Sequence, residues 1–219
     1  NLPKEASWQS FVEQKLQDST SKKTLEPIKG PTGNKEESYQ LSMPDTKGLV
    51  YGSREWAEKL FNSSKTDPWG HDWRASQKIR YQVALSMIKQ NISLNDTQKV
   101  LDIGCALGDF TNQLSQTING KYILGVDISE TAVNKCTKKY PHLHFERAQL
   151  PELNVSSSVF DLIVALEVIY YVDEKHLDSA LEKIASLLSP NGWLLISTYL
   201  YRPPFETPEI FKRWVGKRF

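Results

Sequence analysis

Val100-Leu101-Asp102-Ile103-Gly104-Cys105-Ala106-Leu107-Gly108-Asp109-Phe110 is the stretch on which the fold turns. A short apolar run with one carboxylate reads as a buried strand, and the glycines behind it allow a tight turn. Phe110 to Ile118 then reads as a helix. Tyr122 to Val126 is a second strand closed by Asp127, about 20 residues beyond the turn, where a carboxylate commonly takes ribose hydroxyls. A helix from Ser129 to Lys139 follows.

The alternation continues downstream. His142 to Glu146 reads as a short third strand. Phe160 to Ala165 is a nearly continuous apolar run, as expected of a strand covered on both faces. Leu177, Ala180, Leu181, Ile184 and Leu188 form the stripe of a helix that Ser189-Pro190-Asn191-Gly192 ends. Trp193 to Ser197 is the fifth strand. Strands and helices alternating at this spacing imply an α/β, doubly wound parallel sheet.

Upstream, Arg54 to Phe61 reads as a helix with Trp56, Leu60 and Phe61 on one side. The loop Asp67-Pro68-Trp69-Gly70-His71-Asp72-Trp73 leads into a second helix that spaces Ile79, Val83 and Met87 at i, i+4, i+8. Residues 1–50 are polar and rich in turn formers, burying too little apolar surface to offset the entropy of ordering. Trp8, Phe11, Val12 and Leu16 suggest one short amphipathic helix there. The division expected is an extension or linker over 1–50, capping helices over 51–95 and a ligand-binding core over 96–219.

Composition narrows the classes. The chain has 219 residues with Lys+Arg 27 against Asp+Glu 26, net +1, so no overall field draws it to nucleic acid or an anionic membrane. The longest apolar run, Leu162 to Ile169, is interrupted by Glu167, and no stretch could span a bilayer. Cys105 and Cys136 are too few for a disulfide framework, which points to a reduced, cytoplasmic setting. Sequons at Asn62, Asn91, Asn95 and Asn154 would matter only in a secreted protein. The chain begins at Asn1 rather than Met, as a fragment or trimmed chain would. Oligomeric state is not legible.

The turn sits at the carboxyl end of the first strand, where open parallel sheets bind ligands. Two cofactor classes share that geometry. A dinucleotide site expects G-x-G-x-x-G, whereas this chain has Gly104-x-Ala106-x-Gly108. Asp109 at the helix start is favoured as an N-cap and by the dipole, and would repel a pyrophosphate there. With Asp102 and Asp127 it frames a site suited to a cationic sulfonium nucleoside.

These motifs resemble those of class I, S-adenosylmethionine-dependent methyltransferases, with Ala106 in place of the usual middle glycine. Leu124 to Ser129, Phe160 to Val168 and Leu188 to Leu194 resemble later motifs of the same superfamily. The resemblance implies a Rossmann-like sheet of strand order 3-2-1-4-5, with the last two strands of that fold missing or truncated. It implies S-adenosyl-L-methionine as cofactor and S-adenosyl-L-homocysteine as product. The implied cofactor residues are Asp102, Gly104, Cys105, Ala106, Gly108, Asp109, Asp127, Ile128, Ala148, Gln149 and Leu166. Gln149 stands where the superfamily usually has Asp, but its amide oxygen can still accept from an adenine amino group.

Asp67-Pro68-Trp69-Gly70, with Glu167-Val168-Ile169-Tyr170-Tyr171 later, is similar to the NodS-like group, whose name-giving member N-methylates an amino sugar. That similarity implies cofactor contacts from Trp69 and from Arg80, which could pair with the cofactor carboxylate. Packing between helix and sheet is the competing role for Trp69 and Trp73.

Methyl transfer depends chiefly on holding nucleophile, methyl carbon and sulfur in line. A general base is needed only for a protonated acceptor. Glu167, Tyr170, Tyr171, Tyr199, Tyr201 and His71 are candidates near the strand ends. Glu167, Tyr171 and His71 are expected to line the site, with no single residue singled out as base. His142-x-His144 lacks accompanying ligands at metal spacing, so no metal is expected. The expected activity is methylation of nitrogen or oxygen on a small, sugar-like or secondary-metabolite acceptor. RNA or protein methylation, docked through the basic and aromatic segment Phe211 to Phe219, is the alternative, and a non-catalytic interaction module or fragment is a third.

Overall fold

A computed structural model describes residues 44–219 except 64–66, 72–73, 94–96, 98, 119–121, 158 and 201–202. The short helix around Trp8 to Leu16, and also Trp73, Asn95 and Tyr201, lie outside the described residues. The elements are α1 (Arg54–Ser63), α2 (Ala75–Asn91), β1 (Lys99–Ile103), α3 (Asp109–Thr117), β2 (Tyr122–Asp127), α4 (Glu130–Lys139), β3 (His144–Arg147), β4 (Phe160–Leu166), α5 (Leu177–Leu187), β5 (Leu188–Ser197) and α6 (Pro208–Val215). Two short 3₁₀ turns, Ile169–Tyr171 and Glu174–His176, join β4 to α5.

The described strands form one parallel sheet in the order β3-β2-β1-β4-β5, as the resemblance implies. Successive side chains of a strand point to opposite faces, so each central strand feeds two cores. Val100, Ile123, Leu162 and Val164 meet Tyr81, Ala84 and Ile88 of α2 and Phe110 and Leu114 of α3. Leu101, Ile103, Leu124, Ile163 and Ala165 meet Leu181 and Ile184 of α5 and Trp214 of α6. Each such fully buried aliphatic side chain contributes roughly 1.5–3 kcal/mol relative to exposure.

Several elements differ from the sequence reading. The buried face of α2 is Tyr81, Ala84 and Ile88, while Ile79 is 55% exposed. The helix is turned so that its small and aromatic positions, rather than the Ile79-Val83-Met87 row, meet the sheet. β3 begins at His144, so His142 is not a strand residue and the two histidines share no strand face. They pack separately, His144 against Tyr122 and His142 against Tyr140. The stripe of α5 ends on Leu187, and Leu188 pairs with Phe160 as the first residue of β5. Pairing then jumps to Trp193 opposite Leu162, so residues 189–192 bulge out where a turn is expected.

Capping explains the helix starts. Ser129 Oγ accepts the N–H of Ala132 at 3.1 Å, and Glu58 of α1 accepts the N–H groups of Glu130 and Thr131 at 2.5 and 3.3 Å. A carboxylate thus sits at the positive end of α4 and ties α1 to it. Thr207 caps α6 with Pro208 as its first residue. No helix among the described residues is long and apolar enough to cross a membrane.

Candidate functional site

The site is built from the turn after β1. Gly104 has φ 77°, and its N–H and that of Cys105 donate to Val126 O at 2.8 and 2.9 Å, folding the turn back onto β2. A Cβ on Gly104 would lie 2.7 Å from Val168 Cγ2, so the turn packs directly under the end of β4. Ala106 also adopts a positive φ of 50°, a conformation that costs an L-residue about 1–2 kcal/mol. It gives its N–H to Asp127 Oδ2 at 3.0 Å, while Asp127 Oδ1 accepts from Ser129 N at 2.9 Å. Gly108 N donates back to Cys105 O at 2.9 Å.

This pattern separates the two cofactor classes. A pyrophosphate needs free backbone N–H groups from such a turn. Here the amides of Gly104, Cys105, Ala106 and Gly108 are all engaged within the protein. What the turn presents instead is carboxylate. Burial pushes the Asp127 carboxyl up to about 6 against the two N–H groups that favour its charge. Burial also pushes Asp102 up to about 7, against the hydroxyl of Thr111, which donates to its Oδ2 at 2.6 Å. A cation or hydroxyl pair arriving here finds acceptors, and the residues fit a phosphate-free nucleoside carrying positive charge.

These groups open onto a cavity of about 890 Å³. Trp69, His71, Arg80, Asp102, Gly104, Cys105, Ala106, Asp127, Ile128, Ala148, Gln149, Leu166, Glu167 and Tyr171 all line it, as do Tyr170 and Tyr199. Gly108 and Asp109 do not. Gly108 occupies the N-cap of α3 at φ 77°, and a Cβ there would meet Cys136 Cβ and Phe145 Cζ, both at 2.9 Å. Asp109 is therefore the first helical residue and not the cap. Its Oδ1 accepts from Lys139 Nζ at 2.7 Å and Tyr140 Oη at 2.9 Å. It faces the end of α4, with its charge compensated there, so the charge argument rests on Asp102 and Asp127.

The far wall is aromatic. Tyr171 packs its ring 5.1 Å from Tyr51, 5.4 Å from Trp56 and 4.6 Å from Tyr170. Trp69 sits between Phe61 and Trp56, at 5.0 and 6.2 Å, so it packs against α1 and lines the cavity at once. Burial, and then the charge of Glu167, push the Tyr170 hydroxyl up to about 12; burial likewise raises Tyr171. Glu167 has φ 57° and accepts from Ser197 Oγ at 2.9 Å, with Arg80 Nε 3.6 Å from the same oxygen. Arg80 also donates to Gln77. Gln149 donates to Glu152 at 3.3 Å.

Sequence reasoning missed Tyr51, Gly52, Trp56 and Tyr81 as lining residues. The apolar side of α1 signalled burial but not what it would be buried beside. Gly52 has φ 78°, and a Cβ there would fall 2.4 Å from Tyr171 O, so that approach is open to glycine alone.

Comparison with known proteins agrees with this geometry. Residues 100–192 match the family described as "Methyltransferase domain". The chain is 28% identical over 152 residues to nodulation protein S of Bradyrhizobium diazoefficiens, covering 68% of this chain and 66% of that protein. It is 28% identical over 138 residues to phosphoethanolamine N-methyltransferase of Plasmodium falciparum, covering 62% and 52%. The chain thus spans about two thirds of the first relative's length and about half of the second's. The crystal structure of N-methyltransferase NodS from Bradyrhizobium japonicum with S-adenosyl-L-homocysteine shares the fold, with TM-score 0.55 at 24% identity over 64% of this chain and 71% of that one. Strand order, glycine turn and the family match over residues 100–192 together support a class I, S-adenosylmethionine-dependent methyltransferase domain there.

Proposed function

We propose that this chain transfers the methyl group of S-adenosylmethionine to nitrogen on a small-molecule amine, such as an amino sugar or an alkylamine. The observation that carries the reading is the turn whose Gly104, Cys105, Ala106 and Gly108 amides are internally satisfied, with the buried carboxylates of Asp102 and Asp127 lining the cavity beside it. Nodulation protein S and phosphoethanolamine N-methyltransferase, both relatives by sequence, support nitrogen as the acceptor atom.

In this reading Asp127 takes the ribose hydroxyls and the segment Ala148-Gln149 borders the adenine. Gly104, Cys105 and Ala106 let backbone approach the ligand, Ile128 and Leu166 pack on it, and Arg80 pairs with its carboxylate. When bound, the cofactor supplies an electrophilic methyl on a sulfonium. The chain's own work is to orient the acceptor and exclude water. Tyr51, Trp56 and Tyr171 would close the apolar side, while Glu167, held by Ser197 and Arg80, offers a fixed negative charge for an amine. Residues 51–95 would act as the cap, since α1, α2 and their loops supply Trp56, Trp69, His71 and Arg80 to the lining.

Docking of RNA or protein through the C-terminal segment has less support. Lys217 and Arg218 pair with Asp178 and Glu182 of α5, and Trp214 is buried. Labelled S-adenosylmethionine offered with glucosamine oligomers, phosphoethanolamine, a catechol and total RNA tests the reading. Label is expected in an amine. A folded, cofactor-binding chain that methylates only the catechol or RNA overturns it.

A further inference from the structure

The loop between α1 and α2 carries a side-chain pair to which no role has been given above. Asp67 is buried at 4% exposure, and its Oδ1 lies 3.1 Å from His71 Nδ1. The same carboxylate accepts the N–H of Trp69 at 3.0 Å and the N–H of His71. Burial alone would raise Asp67, but these hydrogen bonds outweigh it and hold the carboxyl below its ordinary value. The imidazole lies nearly parallel to the Tyr81 ring, 11° between planes at 6.1 Å, and the Trp69 ring is 6.0 Å away. It is therefore held by a carboxylate and two rings while lining the cavity.

We infer that His71, oriented by Asp67 through Nδ1, is the group that takes the acceptor's proton on Nε2. This deepens the proposed function and rests on it. A base whose far nitrogen is fixed by a carboxylate presents the other nitrogen in one tautomer and is ready to become imidazolium. Other candidates are occupied. Glu167 Oε1 is shared by Ser197 and Arg80, both oxygens of Asp127 hold amides, and Asp102 holds Thr111. Burial moves the phenols of Tyr170 and Tyr171 away from proton exchange near neutrality. His176 also lines the cavity but is exposed.

One N–H bond of an ammonium acceptor breaks, its proton goes to Nε2, and the lone pair stays on nitrogen. That pair forms the bond to the methyl carbon while the carbon–sulfur pair remains on sulfur, and Nε2 returns its proton to solvent. The titratable groups that face His71 are Asp67 in its own loop, Tyr81 on α2, Asp102 on β1 and Asp127 on β2.

Two measurements on the full chain decide it. Nitrogen-15 imidazole spectra with S-adenosylhomocysteine bound should show neutral His71 protonated on Nδ1, with that preference lost in Asp67→Asn. A neutral ring protonated on Nε2 overturns the inference, whether or not any acceptor is turned over. With the amine that the acceptor panel identifies, His71→Gln should lower kcat/KM by about 10²-fold or more and abolish the acidic limb of its pH profile. Asp67→Asn should also lower kcat/KM, because the ring is no longer held with Nε2 toward the acceptor. Unaltered kcat/KM in His71→Gln, or a loss confined to S-adenosylhomocysteine affinity, overturns it. A panel with no methylated amine is instead the failure of the proposed function, and the tautomer still decides the role of the pair.

Discussion

Asp127 Oδ2 accepts the N–H of Ala106 at 3.0 Å, and Ala106 offers that N–H while holding φ at 50°. The carboxylate and the strained turn position each other across the ends of β1 and β2. Ala106→Gly should remove strain of about 1–2 kcal/mol, partly offset by about 0.4–1 kcal/mol of extra unfolded-chain entropy. Urea denaturation should therefore show a neutral to slightly stabilised protein, with Ala106→Val clearly destabilised. Loss of stability in the glycine variant would contradict the strain.

Asp127→Asn replaces one acceptor oxygen by a donor that faces a backbone N–H. Calorimetry with S-adenosylhomocysteine should show about tenfold to a hundredfold weaker binding, the equivalent of one charged hydrogen bond. Far-ultraviolet circular dichroism would verify that the variant is folded. Unchanged affinity would mean that the ribose site lies elsewhere.

Asp102 and Asp127 set a pH dependence. Their folded-state values, about 7 and about 6, lie above the ordinary 3.8. The unfolded chain therefore loses these protons first. The stability they contribute is complete below the ordinary value and is lost as pH rises through about 6 and then about 7. Urea midpoints of the ligand-free protein should fall over that window, and Asp102→Asn should flatten much of the fall. Identical pH profiles for the two proteins would refute the raised Asp102.

Gly52→Ala would force a Cβ to within 2.4 Å of Tyr171 O at φ 78°. The segment over the cavity mouth must then shift, at a local cost of about 1–3 kcal/mol. Acceptor KM should rise while S-adenosylhomocysteine affinity stays within about twofold, since less than 0.5 kcal/mol would reach that end of the site. A drop in cofactor affinity instead would place Gly52 against the cofactor.

Surface pairs offer a contrast. Lys217→Ala breaks a pair with Asp178 whose side chains are about half exposed, so equilibrium unfolding should register little or no loss. Methyl transfer should be unaffected. A change in turnover would revive a docking role for the C-terminal segment.

The sequence by itself determined the sheet and the location of the ligand end. Strand runs such as Phe160–Leu166 and the turn at Gly104 are local signals, because burial on both faces and a positive φ constrain the residues in place. Partners distant in sequence were decided only by tertiary structure. Asp109 reads as a site carboxylate until the fold brings Lys139 and Tyr140 to it. Ile79 reads as core until α2 turns Tyr81 to the sheet. Tyr51, Trp56 and Tyr171 become one wall only when residues well over a hundred positions apart in the chain converge. Hydrophobic periodicity reports which residues leave water, whereas charge pairing and cavity lining depend on where the chain returns through space.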